Sequence, residues 1–343
     1  MAQVAHAAGV SVMTVSYAYS RPDRVSADAA ARVRAAAAKL GYPGPHPGAR
    51  SLRRGRAGSL GVVLGERLTY AFEDPQAARF LSGVAEVCAA EGVGLTLVPT
   101  TGQDSDMARV ADAAVDGFVI WTTTEEDPVL DAVTATGLPA IIHAGPHRPG
   151  LAVVGIDDRA AAAAIGQVAF AGARRPVVLS FPVDRDRRRQ LLRGPLPSGI
   201  AFPVTRRRWQ GFADAWTSIG GALDQLQVAV CPHNSAGDGE ALVHELLASE
   251  RPPDAIAAMS DELALGALLA AERAGIPVPG VLSITGWDDS DAAAAAGLTT
   301  LSQSLRGQGT RGAQLALGKA TPSTREDRAD WHVVYRRSTH SHL

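Results

Sequence analysis

The stretch Val4-Ala5-His6-Ala7-Ala8-Gly9-Val10-Ser11-Val12-Met13-Thr14-Val15-Ser16-Tyr17-Ala18-Tyr19 decides how the chain is read. It reads as two short helices broken at Gly9. Val4, Ala5 and Ala8 give the first an apolar stripe at helical spacing. Glycine at position 9 permits the positive φ that ends a helix without a Cβ clash. Ser11 then stands as N-cap, its hydroxyl set to accept from the backbone N–H of Thr14. Val10, Val15 and Tyr19 face back toward the first helix. Val12, Met13, Ser16 and Tyr17 are left on the outer face, where a helix-turn-helix meets base edges in a major groove. A plain surface hairpin of helices has the same local pattern, so the flanking sequence has to weigh in.

Pro22 halts the second helix. Ser26 caps a third, over 27–40, whose Ala30, Val33, Ala37 and Leu40 keep helical spacing and can close a three-helix core. Gly41 ends it. Tyr-Pro-Gly-Pro-His-Pro-Gly at 42–48 cannot continue a helix, and 49–56 is a short basic segment with one leucine. Residues 1–58 hold nine basic and two acidic side chains, a balance of +7; the remaining residues hold 24 and 33, a balance of −9. A basic head on an acidic body suits a phosphate-binding module joined to a sensor.

With these residues in view, the chain resembles the lactose-repressor (LacI) family of bacterial transcription factors. The likeness is carried by Val4-Ala5, Ala8-Gly9-Val10-Ser11, Thr14-Val15-Ser16, Val25-Ser26, Arg32-Val33, Leu40-Gly41-Tyr42 and Ala49-Arg50-Ser51-Leu52. It implies that Val12, Met13 and Tyr17 hold base-reading positions. It implies phosphate contacts for Ser11, Thr14, Ser16, Ser20, Arg24 and Ser26. Ala49 to Arg53 matches the hinge helix, whose leucine, Leu52 here, wedges into the minor groove beside Arg50. Two departures stand out. The first helix lacks the family's usual opening turn, and 42–52 is one residue longer than the common pattern.

From Ser59 apolar strands alternate with helices, twice over. Strands are expected at 60–64, 95–98, 118–121, 140–143 and 152–156, with helices at 76–91, 107–115, 127–136 and 158–171. The alternation restarts with strands at 176–181, 227–231, 255–259 and 282–285 and helices at 208–219, 236–249 and 261–274. Such a pattern argues for doubly wound parallel sheets. The resemblance continues here through Asp157-Asp158-Arg159, Arg208-Trp-Gln-Gly-Phe212, Ser260-Asp-Glu-Leu-Ala-Leu-Gly266 and Leu282-Ser-Ile-Thr-Gly-Trp-Asp-Asp289. The expected fold class is an N-terminal three-helix helix-turn-helix DNA-binding domain plus an α/β periplasmic-binding-protein-like sensor of two doubly wound parallel-sheet lobes. Expected domains are 1–43 (head), 44–57 (hinge) and 58–343 (sensing and dimerisation). Lobe 1 covers about 58–170 and 304–325, and lobe 2 about 171–303 and 326–343. Crossings between lobes fall near Ala171, Gln303 and Arg325. Residues 182–205 are longer and more basic than the pattern needs and read as a surface excursion.

Open α/β sheets bind ligands at the carboxyl ends of their strands. By resemblance Arg208 and Asp288 are the leading effector contacts, followed by Ser260, Asp158 and Asn234. Tyr70 and Phe72 lie in the loop after the first sensor strand. An arginine and an aspartate facing across a cleft suit vicinal hydroxyls. Trp121 and Trp287 read as core sooner than as a stacking platform.

Cys88 and Cys231 match no metal or redox spacing, and read as small buried hydrophobes. No stretch has the make-up of a signal peptide or a membrane span. No metal and no cofactor is expected. An α/β enzyme remains a rival, but Gly-x-Gly-x-x-Gly after the first strand, a P-loop and Gly-x-Ser-x-Gly are all missing. A solute-binding protein would lack the basic head. The reading is a cytoplasmic, homodimeric transcriptional regulator, most simply a repressor. Its partners are double-stranded DNA with a pseudo-palindromic operator and a small-molecule effector, such as a sugar or related metabolite.

Overall fold

The computed structural model describes residues 1–44, 56–65, 68–195, 197–321 and 326–340. They fall into two units, 1–58 and 59–343.

In the first unit α1 (Ala2–Ala8) stops at Gly9, which adopts φ 61°. The Val10 N–H then donates to the Ala5 carbonyl at 3.0 Å, closing the turn. Helices α2 (Val12–Ser20) and α3 (Ala27–Lys39) are capped by Ser11 and Ser26, whose side chains accept from Thr14 N and Ala29 N. Val4, Ala5, Ala8, Val15, Val33, Ala36 and Ala37 form the core, with Tyr19 and Tyr42 packed against it edge to face. Leu40 is not part of that core. It is 47% exposed, because it is the C-cap of α3 and the helical stripe has ended there. Ala36 fills the position instead.

The second unit has two lobes. The first holds β1 (Ser59–Leu64), α4 (Tyr70–Glu73), α5 (Pro75–Glu91), β2 (Gly94–Pro99), α6 (Ser105–Ala111), β3 (Phe118–Trp121), α7 (Pro128–Ala135), β4 (Ala140–His143) and β5 (Ala152–Gly155). The chain then runs through α8 (Asp158–Phe170), β6 (Pro176–Ser180), β7 (Gln190–Arg193), α9 (Pro203–Ser218), β8 (Gln227–Val230), α10 (Ala236–Leu247), β9 (Ala255–Ala258), α11 (Asp261–Arg273), β10 (Ser283–Thr285), α12 (Asp291–Ala296) and β11 (Thr300–Gln303). It ends with α13 (Leu305–Ala316), β12 (Glu326–Arg328) and β13 (Trp331–Val334). The first sheet is parallel throughout, in the order β12-β5-β4-β3-β1-β2. The second runs β10-β9-β6-β8-β7, parallel except for β7 at its edge. Leu60, Val62 and Leu64 pack under α5 and α13, while Val63 and Ile120 meet Val110 and Val129 on the opposite face. The second sheet is likewise covered on both faces. Runs of aliphatic strand residues with no polar alternation are what two covered faces require.

Glycine permits a close helix contact. A Cβ on Gly83 would fall 2.0 Å from the Arg306 carbonyl oxygen, and one on Gly309 would fall 2.1 Å from that of Phe80. Helices α5 and α13 therefore touch backbone to backbone.

The crossings differ from expectation at two of three places. The first comes ahead of α8, not near Ala171, because Ala161, Ile165 and Ala169 bury against Trp209 and Phe212 of the second lobe. The second falls between β11 and α13. The third follows residue 328 instead of 325, because Glu326–Arg328 pairs in parallel with Val153–Gly155. Residues 182–205 are not a mere surface excursion. They supply β7, which pairs antiparallel with β8, and an arm that reaches the other lobe.

Candidate ligand cleft and nucleic-acid interface

In the first unit the Ser11 hydroxyl accepts from Thr14 N at 3.0 Å and shares a 2.9 Å hydrogen bond with Thr14 Oγ1. That cap fixes where α2 begins. Val12 and Met13 follow it at 48% and 61% exposure. Tyr17 is half-buried, one turn on. Arg24 is exposed in the 3₁₀ turn Pro22–Arg24. Ser16 departs from the sequence reading: it is only 4% exposed, because it lies on the flank of α2 next to core residue Val15. Ser20 returns its hydroxyl to the Ser16 carbonyl at 2.8 Å. Arg32 ties the unit together by donating to the Ala8 carbonyl at 3.1 Å. Ala49, Arg50, Leu52 and Arg53 lie outside the described residues.

In the second unit a cleft of ≈ 680 Å³ opens between the lobes, within the range of small-molecule sites. Arg208 and Asp288 both line it, but from the same lobe and not across the gap. The reason is local. Arg208 lies in the second turn of α9, which starts at Pro203 and not at Arg208 itself. Its Nε donates to Asp158 Oδ1 at 2.8 Å and its Nη1 to the Met259 carbonyl at 2.6 Å. The guanidinium also lies 3.9 Å from the ring centre of Trp287. Asp158, first residue of α8, is thus the partner that orients Arg208. Asp288 follows β10 with φ 108°, a left-handed value unusual for aspartate. Burial pushes its carboxyl well above the usual range, against the opposing pull of Arg208.

Asn234 bridges the lobes, donating from Nδ2 to Asp74 Oδ2 at 2.6 Å and accepting from Ser260 Oγ at 2.5 Å. Ser260 also caps α11. Phe72 is 70% exposed and is not part of the cleft wall. The side chain of Tyr70 lies outside the described residues. Trp121 is buried as expected, yet it also forms cleft wall, stacked 5° from parallel on His143 at 4.6 Å. Trp287 is fully buried beneath Arg208.

Three residues that sequence reasoning missed complete the wall. His143 Nε2 meets Gln308 Oε1 at 2.8 Å, Gln308 Nε2 donates to Gln303 Oε1 at 3.0 Å, and Gln303 Nε2 donates to Asp288 Oδ1 at 2.7 Å. This chain runs from β4 of one lobe to the loop after β10 of the other. His143 is the last residue of its strand, so the carboxyl-end rule pointed to it. The glutamines gave no such signal. Burial pushes the His143 imidazole down to about 4. Beyond this relay, Arg185 pairs with buried Asp127, Arg206 pairs with Glu125, and Arg207 donates to the carbonyl of cleft residue Ala144 at 3.2 Å. All three reach from the second lobe to the first, and Arg206 holds the Glu125 carboxyl below its ordinary value.

Among the described residues no group of His, Cys, Asp and Glu could hold a metal ion, and no helix is long and apolar enough to cross a membrane.

Residues 1–44 match the model for bacterial regulatory proteins of the lacI family, and residues 198–339 match that for a periplasmic binding protein-like domain. The chain is 38% identical over 322 residues to the HTH-type transcriptional regulator Rv3575c of Mycobacterium tuberculosis, covering 92% of this chain and 90% of that one. Its fold is similar to a LacI-family regulator from Corynebacterium glutamicum, with TM-score 0.71 and 30% identity over 99% of this chain and 97% of that chain. It is also similar in fold to the lac repressor dimer bound to operator and the anti-inducer ONPF, with TM-score 0.73 and 21% identity over 98% and 97% of the two chains. Since these likenesses span both units, the chain belongs to the LacI family of bacterial transcriptional regulators.

Proposed function

We propose that the protein is a homodimeric repressor whose first unit grips a pseudo-palindromic operator and whose cleft takes a sugar-like effector that sets operator affinity. The observation that carries it is the cleft itself, lined by a buried, oriented Arg208 and a buried Asp288, in a chain whose first unit is a capped helix-turn-helix. A guanidinium and a carboxyl lining one cleft can serve hydroxyls, one donating and one accepting. In this reading Val12, Met13 and Tyr17 meet base edges. Ser11, Thr14, Ser20, Arg24 and Ser26 serve phosphates; Ser16, being buried, supports the helix instead. Leu52, with Ala49, Arg50 and Arg53, acts at the centre of the operator. Asp158, Ser260 and Asn234 hold the effector groups in place. The lac repressor was crystallised as a dimer on its operator, which supports the same assembly here.

A mobility-shift assay with pseudo-palindromic fragments from upstream of the gene tests this. The intact dimer should retard such a fragment, and affinity should fall by roughly 10³ or more between 50 and 200 mM salt if six or more phosphates are neutralised. Tyr17→Ala should change sequence preference, whereas Arg50→Ala should weaken all sequences alike. Retardation of no such fragment, or binding indifferent to salt, would refute the proposal.

A further inference from the structure

Helix α2 is the second helix of the helix-turn-helix, the one whose first residues meet base edges in a major groove. Its sequence, Val-Met-Thr-Val-Ser-Tyr-Ala-Tyr-Ser, holds no charged side chain and no carboxamide. The nearest cations, Arg21 and Arg24, lie in the turn that follows it. Of the nine residues of α2 only Val12 and Met13 are exposed. Val15 and Ser16 are buried, and Ala18 and Tyr19 pack on the three-helix core. The hydroxyls of the helix are engaged close by. Thr14 Oγ1 shares a hydrogen bond with Ser11 Oγ, which also caps the helix, and Ser20 Oγ donates to the Ser16 carbonyl. Tyr17, half-buried, brings a single phenol hydroxyl to the same face.

This set of groups restricts what α2 can recognise. In the major groove guanine shows N7 and O6, adenine N7 and N6, and cytosine N4, whereas thymine carries a C5-methyl group beside O4. Bidentate reading of a purine takes an arginine, lysine, asparagine or glutamine. Helix α2 has none of these. An isopropyl group or a thioether laid on a purine edge would strip water from its polar atoms and replace no hydrogen bond, which is unfavourable. Laid on a thymine methyl, the same groups bury apolar surface on both sides. The cap fixes where this happens, because Ser11 starts the helix at Val12 and so sets Val12 and Met13 in its first turn.

We infer that α2 reads its operator half-site through thymine C5-methyl groups packed against Val12 and Met13, and that no side chain of this helix recognises guanine by a bidentate hydrogen bond. The inference rests on the DNA-binding reading of the first unit and deepens it, with Val12 and Met13 as specificity-determining residues for A·T pairs.

The test uses full-length protein and duplexes selected by it from a random pool. Selected half-sites should share one or more thymines. In the best duplex each half-site thymine is replaced in turn by deoxyuridine, in both half-sites together, which removes the methyl group and leaves base pairing and O4 in place. At a contacted position affinity should fall by about fourfold per half-site, the value for one buried methyl group. Val12→Ala and Met13→Ala keep the helix, since alanine is the stronger helix former. In at least one of them the thymine and deoxyuridine duplexes should bind alike. Deoxyuridine tolerated at every half-site position overturns the inference. So does a loss that persists unchanged in both variants, because DNA shape and not contact then reads the methyl group. Failure to select any duplex sinks the DNA-binding reading beneath it, and the inference with it.

Discussion

Arg208 and Asp158 show what a single pair must do in this protein. Their side chains are 8% and 2% exposed, so both charges are nearly out of water. Removing one partner of such a pair leaves the other buried and uncompensated, at a cost of about 3–5 kcal/mol. Arg208→Leu should therefore lower the urea midpoint markedly, and adding Asp158→Leu should restore much of the loss. Both variants should lose the effector response. A stability loss for the double variant as large as the sum of the singles would show that the ion pair is not what matters. His143 makes a different prediction. Burial holds it at about 4 in the folded protein, below the ordinary imidazole value of 6.5. Between those values the unfolded chain binds a proton that the folded one refuses, so stability falls as pH drops through this window. The contribution reaches roughly 3 kcal/mol by pH 4. Asp288 acts in the opposite sense, since its raised value adds a cost as pH rises above the ordinary carboxylate range. The measurement is thus the difference between wild type and His143→Phe. The variant should lose less stability than wild type between pH 6.5 and 4, as read by chemical denaturation.

At the scale of elements, the segment between β6 and α9 matters most. It adds an antiparallel edge strand and carries Arg185 into the first lobe, where Asp127 already caps α7 and accepts from Thr123 Oγ1 at 2.5 Å. That contact lies outside the ligand wall yet exists only while the lobes are together. Arg185→Ala should leave helix content and operator contacts unchanged but weaken effector affinity by about three- to tenfold, because closure loses part of its driving force. Small-angle scattering should show a larger radius for the ligand-free variant. Equal radii and equal effector affinity would count against this arm as a closure latch.

For the whole molecule, effector and operator share one chain, so their effects must be mutual. Whatever factor the effector applies to operator affinity, operator must apply to effector affinity. Calorimetry with a bound effector, with and without operator, should give effector constants that differ by the factor found in shift assays. Identical constants would refute coupling between the two sites.

The sequence by itself determined the elements and their class. Gly9 and Ser11 carry local instructions for a turn and a cap, and these operate within four residues, so the helix-turn-helix was legible. The uniformly aliphatic strands announced sheets covered on both faces. The family resemblance carried by the motifs from Asp157 to Asp289 implied Arg208 and Asp288 as cleft residues, and both line it. Tertiary structure decided what depends on distant partners. Leu40 has helical spacing but leaves the core because its helix ends there. Ser16 sits on a face that spacing alone put outward, and packing buried it. Glu326–Arg328 has no apolar pattern and becomes a strand only because β5 offers an unpaired edge. Asp158 joins Arg208 and Asp288 in one lobe because the first crossing falls ahead of α8. The relay from His143 through Gln308 and Gln303 to Asp288 joins residues up to 165 positions apart. Hydrogen bonds of that range are set by how two sheets meet, and no local pattern encodes them.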